Sequence, residues 1–294
     1  MVENGNNPEV KITAPPVNRV RASSPILILA ILFVVASFLT WYLTWFGRGL
    51  SDSEITKYLS DYSHPRHVQH ALLQVQERIE RGDKTASQWY PQIVALAGNS
   101  ETEFRLTTAW VMGADNSSED FHNALKKLLA DRETIVRRNA ALALVRFNDA
   151  SGRSELLAIL NPLVVNAPVN GTLESSLLKA APVSRGTLLA RIRQPNNDVA
   201  AMRSPLSGSL DNIMVATGSN VTSGQPVLTI KSDEQSIWEA LRALAIVGTE
   251  EDLKPVGDYA SGAATTSDRL KQQAALTANA IKSRVNVNDK TIKP

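Results

Sequence analysis

The strongest constraint on this chain is ILILAILFVVASFLTWYLTWF, 21 residues from Ile26 to Phe46 without one charge. As an α-helix rising 1.5 Å per residue it is about 31 Å long, close to the hydrocarbon thickness of a bilayer. Trp41, Tyr42 and Trp45 gather at its C-terminal end, and amphipathic rings favour the headgroup zone. The run therefore predicts a transmembrane helix over 25–47; a buried core helix of this length would show a polar face. It is too long for a cleaved signal peptide, and no small-x-small site follows it. Lys11, Arg19 and Arg21 precede it with few acids, whereas Arg48 and Lys57 mix with Asp52, Glu54 and Asp61 after it. That bias predicts a single-pass protein of a bacterial inner membrane, N-terminus cytoplasmic and C-terminal bulk periplasmic. Residues 1–24, with Asn, Gly and Pro-Pro, read as a flexible cytoplasmic tail.

Beyond the apolar run, the chain is long enough for one large domain or two ordinary ones. Aromatic residues make up only 5%, and the apolar set is dominated by Ala and Leu, which favours helices packed on helices. The formal net charge is +2 with no long run of one sign, so the electrostatic footprint of a nucleic-acid binder is missing. There is no cysteine. That removes disulfides, cysteine-ligated zinc, iron–sulfur clusters, c-type haem and thiol catalysis together.

Ser51 and Glu54 form an S-x-x-E pattern ahead of Ile55, Tyr58 and Leu59, the signature of a capped helix. Another helix begins near Pro65, a favourable first helical position, and carries Val68, Leu72, Val75 and Ile79 until Gly82-Asp83 stops it. A partner helix runs from Ala86 to Ala97 and ends at Gly98-Asn99. The pattern then returns: Phe104, Ala109 and Trp110 align with Val136, Ala141 and Leu142 at an offset of 32 residues. Second helices follow at Asp120 to Ala130 and Ser154 to Leu160. Downstream, IWEALRALAIVGTEEDLKPVGDYA and DRLKQQAALTANAIKSR resume it. A period in the low thirties with helix–turn–helix units indicates an α-solenoid. Segments such as IVRRNAALALVRFND resemble HEAT repeats, with a small Ala pair, an Arg after the turn and Asp or Asn at the break. The resemblance covers roughly 63–160 and 233–284 and implies a protein-binding scaffold.

Between Leu160 and Asp233 the period changes. Asn161-Pro162, Asn166, Pro168, Asn170 and Gly171 form a breaker cluster. Strand-like LLKA, GTLLARI, DVAAMRS, GSLDNIMV and PVLTI follow, separated by turn signals, as in a small barrel or sandwich. The stretch MRSPLSGSLDNIMVATGSNVTSGQPVLTI resembles half of a biotinyl/lipoyl-type domain, the barrel-sandwich hybrid also found in membrane-fusion adaptors. The resemblance rests on Ser204 to Gly208, Val215, Gly218, Val221, Gly224, Gln225, Pro226 and Leu228, with Gly208 and Gly224 expected at positive φ. Carriers of that family hold a modified lysine at a hairpin tip. Here the tip is Gln194 to Asp198, and no lysine lies between Lys179 and Lys231. Asn197 stands near the lysine's place, so the resemblance implies the fold without attachment chemistry and a barrel used, with Asn196 and Asn197, for protein contact.

Other chemistry is thin. His64, His67 and His70 are spaced three apart, yet Pro65 starts a helix between the first two and no carboxylate shares their spacing convincingly, so no metal site is expected. Nucleophile-elbow, Walker, Rossmann and HExxH patterns are absent. Arg137-Arg138 and Lys126-Lys127 read as solvated repeat faces. Trp110 and Trp238 read as core fillers, whereas Trp89 and Tyr90 form a candidate contact surface.

The expected fold class is mainly α: one transmembrane helix, then a HEAT-like α-solenoid interrupted by a small all-β barrel-sandwich-type domain. The expected boundaries are 25–47 for the anchor, 51–160 and 233–285 for the repeats, 161–232 for the insert and 286–294 for a tail. The expected function is a membrane-anchored non-catalytic adaptor, an accessory subunit docking on the subunits of a membrane protein complex of transport, secretion or electron transfer. It touches the lipid bilayer through the anchor and takes no cofactor, nucleic acid or small-molecule substrate. A periplasmic efflux adaptor and a carrier or enzyme are the alternatives; the adaptor would need a long helical hairpin between the barrel halves, and none is visible between Ser175 and Ser232.

Overall fold

The computed structural model describes residues 24–45, 49–265 and 267–292, in two units that divide after Gly49. In the first unit, α1 (Ser24–Trp45) forms where the apolar run lies. Its exposed large apolar side chains extend from Leu27 to Leu39. Among the described residues no helix is long and apolar enough to cross a membrane. The expected transmembrane helix is corrected on that ground, and with it the single-pass inner-membrane placement and the periplasmic bulk. The side chains of Trp41, Tyr42 and Trp45 lie outside the described residues, as does segment 1–23.

The second unit opens with α2 (Asp52–Leu59), which has the capping box expected of it: Ser51 Oγ accepts from Glu54 N–H, and Glu54 accepts from Ser51 N–H. Then come α3 (Pro65–Glu80), a 3-10 turn leading into α4 (Tyr90–Leu96), α5 (Thr102–Met112), α6 (Glu119–Leu128), α7 (Thr134–Arg146) and α8 (Arg153–Ile159). After the strands follow α9 (Glu234–Val247), α10 (Leu253–Ala260) and α11 (Asp268–Ile292). The last helix runs past residue 285, where the sequence suggests a tail. The longer helices α3, α5, α7, α9 and α11 pack in series, each on the next. The shorter helices α4, α6, α8 and α10 pack beside them. Helix α9 sits directly on α7 and α8, so the helical series closes over the strand region that separates it in sequence. Ala141, Leu156 and Ile159 share one buried cluster there with Ile237, Leu241 and Leu244. Phe104 and Phe121, fully buried in the other helical cluster, each contribute about 1.5–3 kcal/mol by leaving water.

The turns repeat as well as the helices. Asp83, Asp115 and Asp149 each accept the backbone N–H two residues on, from Thr85, Ser117 and Ser151, at 2.7–2.9 Å. The same oxygens take the hydroxyls of those residues. A short side chain that closes its own turn is the reason Asp and Ser or Thr recur there. Close packing is set by small residues: a Cβ on Gly152 would stand 2.6 Å from Ala141 Cα and 2.7 Å from its Cβ.

Eight strands form two four-stranded antiparallel sheets around their own core. They are β1 (Leu163–Asn166), β2 (Gly171–Ser176), β3 (Pro182–Val183), β4 (Leu188–Arg193), β5 (Val199–Arg203), β6 (Gly208–Ile213), β7 (Asn220–Val221) and β8 (Pro226–Ser232). The sheet orders are β1-β8-β6-β3 and β5-β4-β2-β7. Exchanging β1 to β4 with β5 to β8 converts one order into the other, so the region is two intertwined copies of one four-strand unit. Gly171 and Gly208 hold matching places. A Cβ on the first would run into the Arg193 carbonyl, and on the second into the Lys231 carbonyl. Gly208 is thus required by a close approach, while Gly224 does take the expected left-handed turn at φ 84°. The strand expected at LLKA is corrected: residues 177–180 join β2 to β3, with Leu178 81% exposed and Ala180 at φ 65°.

Candidate interaction surface

Trp89 and Tyr90 are not an open surface. Trp89 is 1% exposed; its Nε1–H donates to Thr56 Oγ1 at 2.9 Å, and the Arg78 guanidinium lies 4.9 Å from its ring. Tyr90 is half-buried, tilted on Phe121 with ring centres 4.2 Å apart. Its hydroxyl donates to Asp115 Oδ2 at 2.7 Å. Burial, then that hydrogen bond and the carboxylate charge, push the Tyr90 phenol well above its ordinary range. One repeat later His122 Nε2 meets Asp149 Oδ2 at 2.5 Å and its ring stacks on Phe147. These residues tie each helical pair to the turn of the next.

Trp110 on α5 is exposed instead, 56% accessible, where the sequence suggests a core filler. Leu73, on the neighbouring α3, is half-exposed. Position 110 lies one turn after Leu106 on the same helix face. Trp238 is half-buried, with the guanidinium carbons of Arg242 and Arg269 4.7 and 4.4 Å from its ring. Asn196 and Asn197 do stand exposed at the β4–β5 hairpin tip, which closes through Gln194 N–H to Asp198 O at 2.8 Å. Asn197 takes φ 69°, a conformation that Asn tolerates.

On the other side of the helices an open groove of about 1210 Å³ runs between α4 and α6. Exposed Lys126, Lys127 and Arg132 line it. At its floor Arg105 grips Asp131 through two parallel hydrogen bonds, Nε to Oδ2 at 2.6 Å and Nη2 to Oδ1 at 3.0 Å. Arg105 Nη1 also caps the carbonyls of Asn99 and Ser100. Arg137, 32 residues on, repeats both acts: it caps the carbonyls of Asp131 and Arg132 and donates to Glu155 at 2.8 Å. The Arg137-Arg138 doublet is therefore no solvated face, since Arg137 is half-buried and Arg138 is buried.

His64 and His67 do have a carboxylate. Both Nδ1 atoms turn to Asp61, at 2.9 and 2.8 Å, while His70 is not in the cluster. Hydrogen bonds from His64, Ser63 and His67 hold the Asp61 carboxyl well below the usual carboxylate range. The three side chains are close enough to hold a divalent cation, though a tetrahedral ion at roughly 2.0–2.2 Å from each ligand would spread them slightly. The D-x-x-H-x-x-H spacing was the available signal; it crosses from a loop into α3, where helical periodicity does not apply.

No family model matches this chain, and no curated protein matches it. Among solved structures it is similar to a single-chain, multi-domain long-chain acyl-CoA carboxylase, at 16% identity over 43% of this chain with a TM-score of 0.24. The chain spans 13% of that protein's length. It is also similar to an engineered protein of known crystal structure, at 15% identity over 78% of each chain with a TM-score of 0.39. Likenesses this distant assign neither fold nor function, which rest on the chain's own geometry.

Proposed function

We propose that this chain is a non-catalytic scaffold that binds another protein along its series of long helices. The observation that carries this reading is Trp110: a large aromatic ring left more than half in solvent on a helix whose other face is fully buried core. Tryptophan is enriched among the residues that dominate protein interfaces. The HEAT-like reading of the helical pairs supports the same function, because stacked pairs offer a long surface without a ready catalytic cleft. The β unit is read as a biotinyl/lipoyl-like fold used for contact; its hairpin tip carries Asn197, which has no amine to acylate. The partner is a larger protein complex on which this chain is an accessory subunit.

A photoreactive residue at position 110, compared with one at Lys126 on the groove side, tests the reading in the native cells. A discrete adduct from 110 and not from 126, lost on competition with the unmodified chain, is expected. A chain that yields no adduct from 110 and purifies as a lone monomer overturns the scaffold. An intact mass above that of the sequence by a fixed group would favour the carrier alternative.

A further inference from the structure

The connection from α2 to α3 places three metal-ligating side chains in one short stretch, D-x-x-H-x-x-H from Asp61 to His67. Backbone hydrogen bonds from Asp61 N–H to Tyr58 O, from His64 N–H to Asp61 O and from His67 N–H to His64 O, at 2.8–3.1 Å, wind it into successive tight turns. Pro65 then opens the first turn of α3. The result sets Nδ1 of both imidazoles on one carboxylate, His64 at 2.9 Å from Oδ1 and His67 at 2.8 Å from Oδ2. The three ligand atoms all lie within 4.8 Å of one another. Neighbouring groups hold these orientations. Tyr58 of α2 stacks on His67 with ring centres 4.2 Å apart and planes 8° apart, and His64 stacks on His67 at 5.0 Å. Ser63 Oγ–H donates to Asp61 Oδ1 at 2.7 Å, the kind of outer contact that orients a ligating carboxylate. A carboxylate beside a helix N-terminus ordinarily caps backbone N–H groups. Here both its oxygens face imidazoles, and His64, at the N-cap position itself, makes no side-chain cap.

We propose that Asp61, His64 and His67 bind a divalent transition ion of the zinc type, through one carboxylate oxygen and two Nδ1 atoms, with water in the fourth position. Two imidazoles and a carboxylate suit zinc, whereas calcium and magnesium demand more oxygens. Bond lengths of roughly 2.0–2.2 Å in a tetrahedral site put ligand atoms about 3.4 Å apart, so the imidazoles move outward by only about half an ångström. His64, exposed and at the N-cap rather than within the helix, makes that move by side-chain rotation. Each neutral ring ligates through Nδ1 and carries its proton on Nε2. The positive end of the α3 dipole opposes a cation there, and the Asp61 charge offsets it. The bound ion clamps the α2–α3 connection to the first turn of α3. The proposal is independent of the scaffold reading, since it uses no residue of the α5 face.

The test is calorimetric titration of the full, untagged chain with Zn²⁺ and Co²⁺, with Mg²⁺ and Ca²⁺ as controls. The chain has no cysteine and four histidines, so competing ligands are few. A single Zn²⁺ per chain should bind and raise the melting temperature. Bound Co²⁺ should show the strong visible absorption of a tetrahedral ion, and the controls should not bind. Asp61→Asn and His67→Gln should each weaken Zn²⁺ by at least about tenfold, since even an outer contact is worth about 10–100-fold. His70→Gln and His122→Gln should leave the affinity unchanged. A wild-type measurement needs no variant to fold: on saturation with Zn²⁺, nitrogen spectra of the imidazoles should show Nδ1 ligation of two rings. A wild-type chain that binds no Zn²⁺, or rings that do not ligate through Nδ1 while heat is released, overturns the proposal. Affinity that survives both Asp61→Asn and His67→Gln, or that falls as far in His122→Gln, also overturns it, leaving only adventitious binding by surface histidines.

Discussion

Arg105 and Asp131, 26 residues apart, hold one another through both carboxylate oxygens while each side chain is only 7% exposed. The pair joins the start of α5 to the turn before α7. It does for one face of the helical series what Tyr90 and Asp115 do for the other. Removing either member leaves a buried charge without its partner, so Arg105→Ala or Asp131→Ala should cost about 3–5 kcal/mol in chemical denaturation. A double variant should cost less than the two single losses added together.

Acid should act through the same carboxylates. Burial raises Asp115, Asp131 and Asp149, but the hydrogen bonds from Ser117 and Tyr90, from Arg105 and Glu133, and from Ser151 and His122 outweigh it and hold all three below the ordinary range. A depressed carboxyl stabilises the fold above the unfolded value of about 3.9 and loses that stability as pH falls through the folded value. Stability should therefore be level above about pH 5 and decline steadily below about pH 4. Asp131→Asn should be less stable at neutral pH and show a shallower acid decline; an unchanged acid slope would show that Asp131 does not contribute to it.

Tyr90→Phe removes one hydrogen bond to a carboxylate and should destabilise by roughly 1.5–3 kcal/mol. The native chain should show a tyrosine that ionises well above pH 10 in ultraviolet titration, and the variant one fewer. Because this phenol is raised, its stabilising effect is complete below pH 10 and lost above it.

Gly152→Ala forces a methyl group into Ala141 and should cost roughly 1–3 kcal/mol. The paired change Ala141→Gly with Gly152→Ala should recover part of that loss beyond simple addition. Thermal melts of the four chains decide it.

Trp110→Ala should change stability by no more than about 0.5 kcal/mol, because the ring is mostly in solvent, yet weaken capture by the protein partner. A melting temperature that falls as far as for a core Phe would place Trp110 in the fold's interior packing instead.

Much of the local structure was legible because its causes lie within a few residues. The Ser51–Glu54 box, Pro65 at the head of α3, Gly224 in its left-handed turn and the Gln194 to Asp198 hairpin tip are each decided by neighbours in sequence. LLKA failed for the complementary reason: its apolar letters suit a strand, but β2 lies one segment earlier and spends them in the connection. The Trp89 and Trp110 readings were reversed by burial, since helical spacing assigns a residue to a face and does not say what covers that face. The apolar run likewise gave a helix, while the transmembrane reading of it did not stand.

What the sequence by itself determined is the order of helices, strands and helices, the turn chemistry at Asp83, Asp115 and Asp149, and the absence of cysteine chemistry. These follow from backbone propensities and side-chain reach over two to four residues. What only the tertiary structure decided is which charges meet. Arg105 finds Asp131, His64 and His67 find Asp61, and Arg138 of α7 reaches Ser232 of β8, 94 residues away. Helix α9 packs onto α7 and α8, and no spacing along the chain records it, because the strands that separate the helices in sequence are folded away beside them.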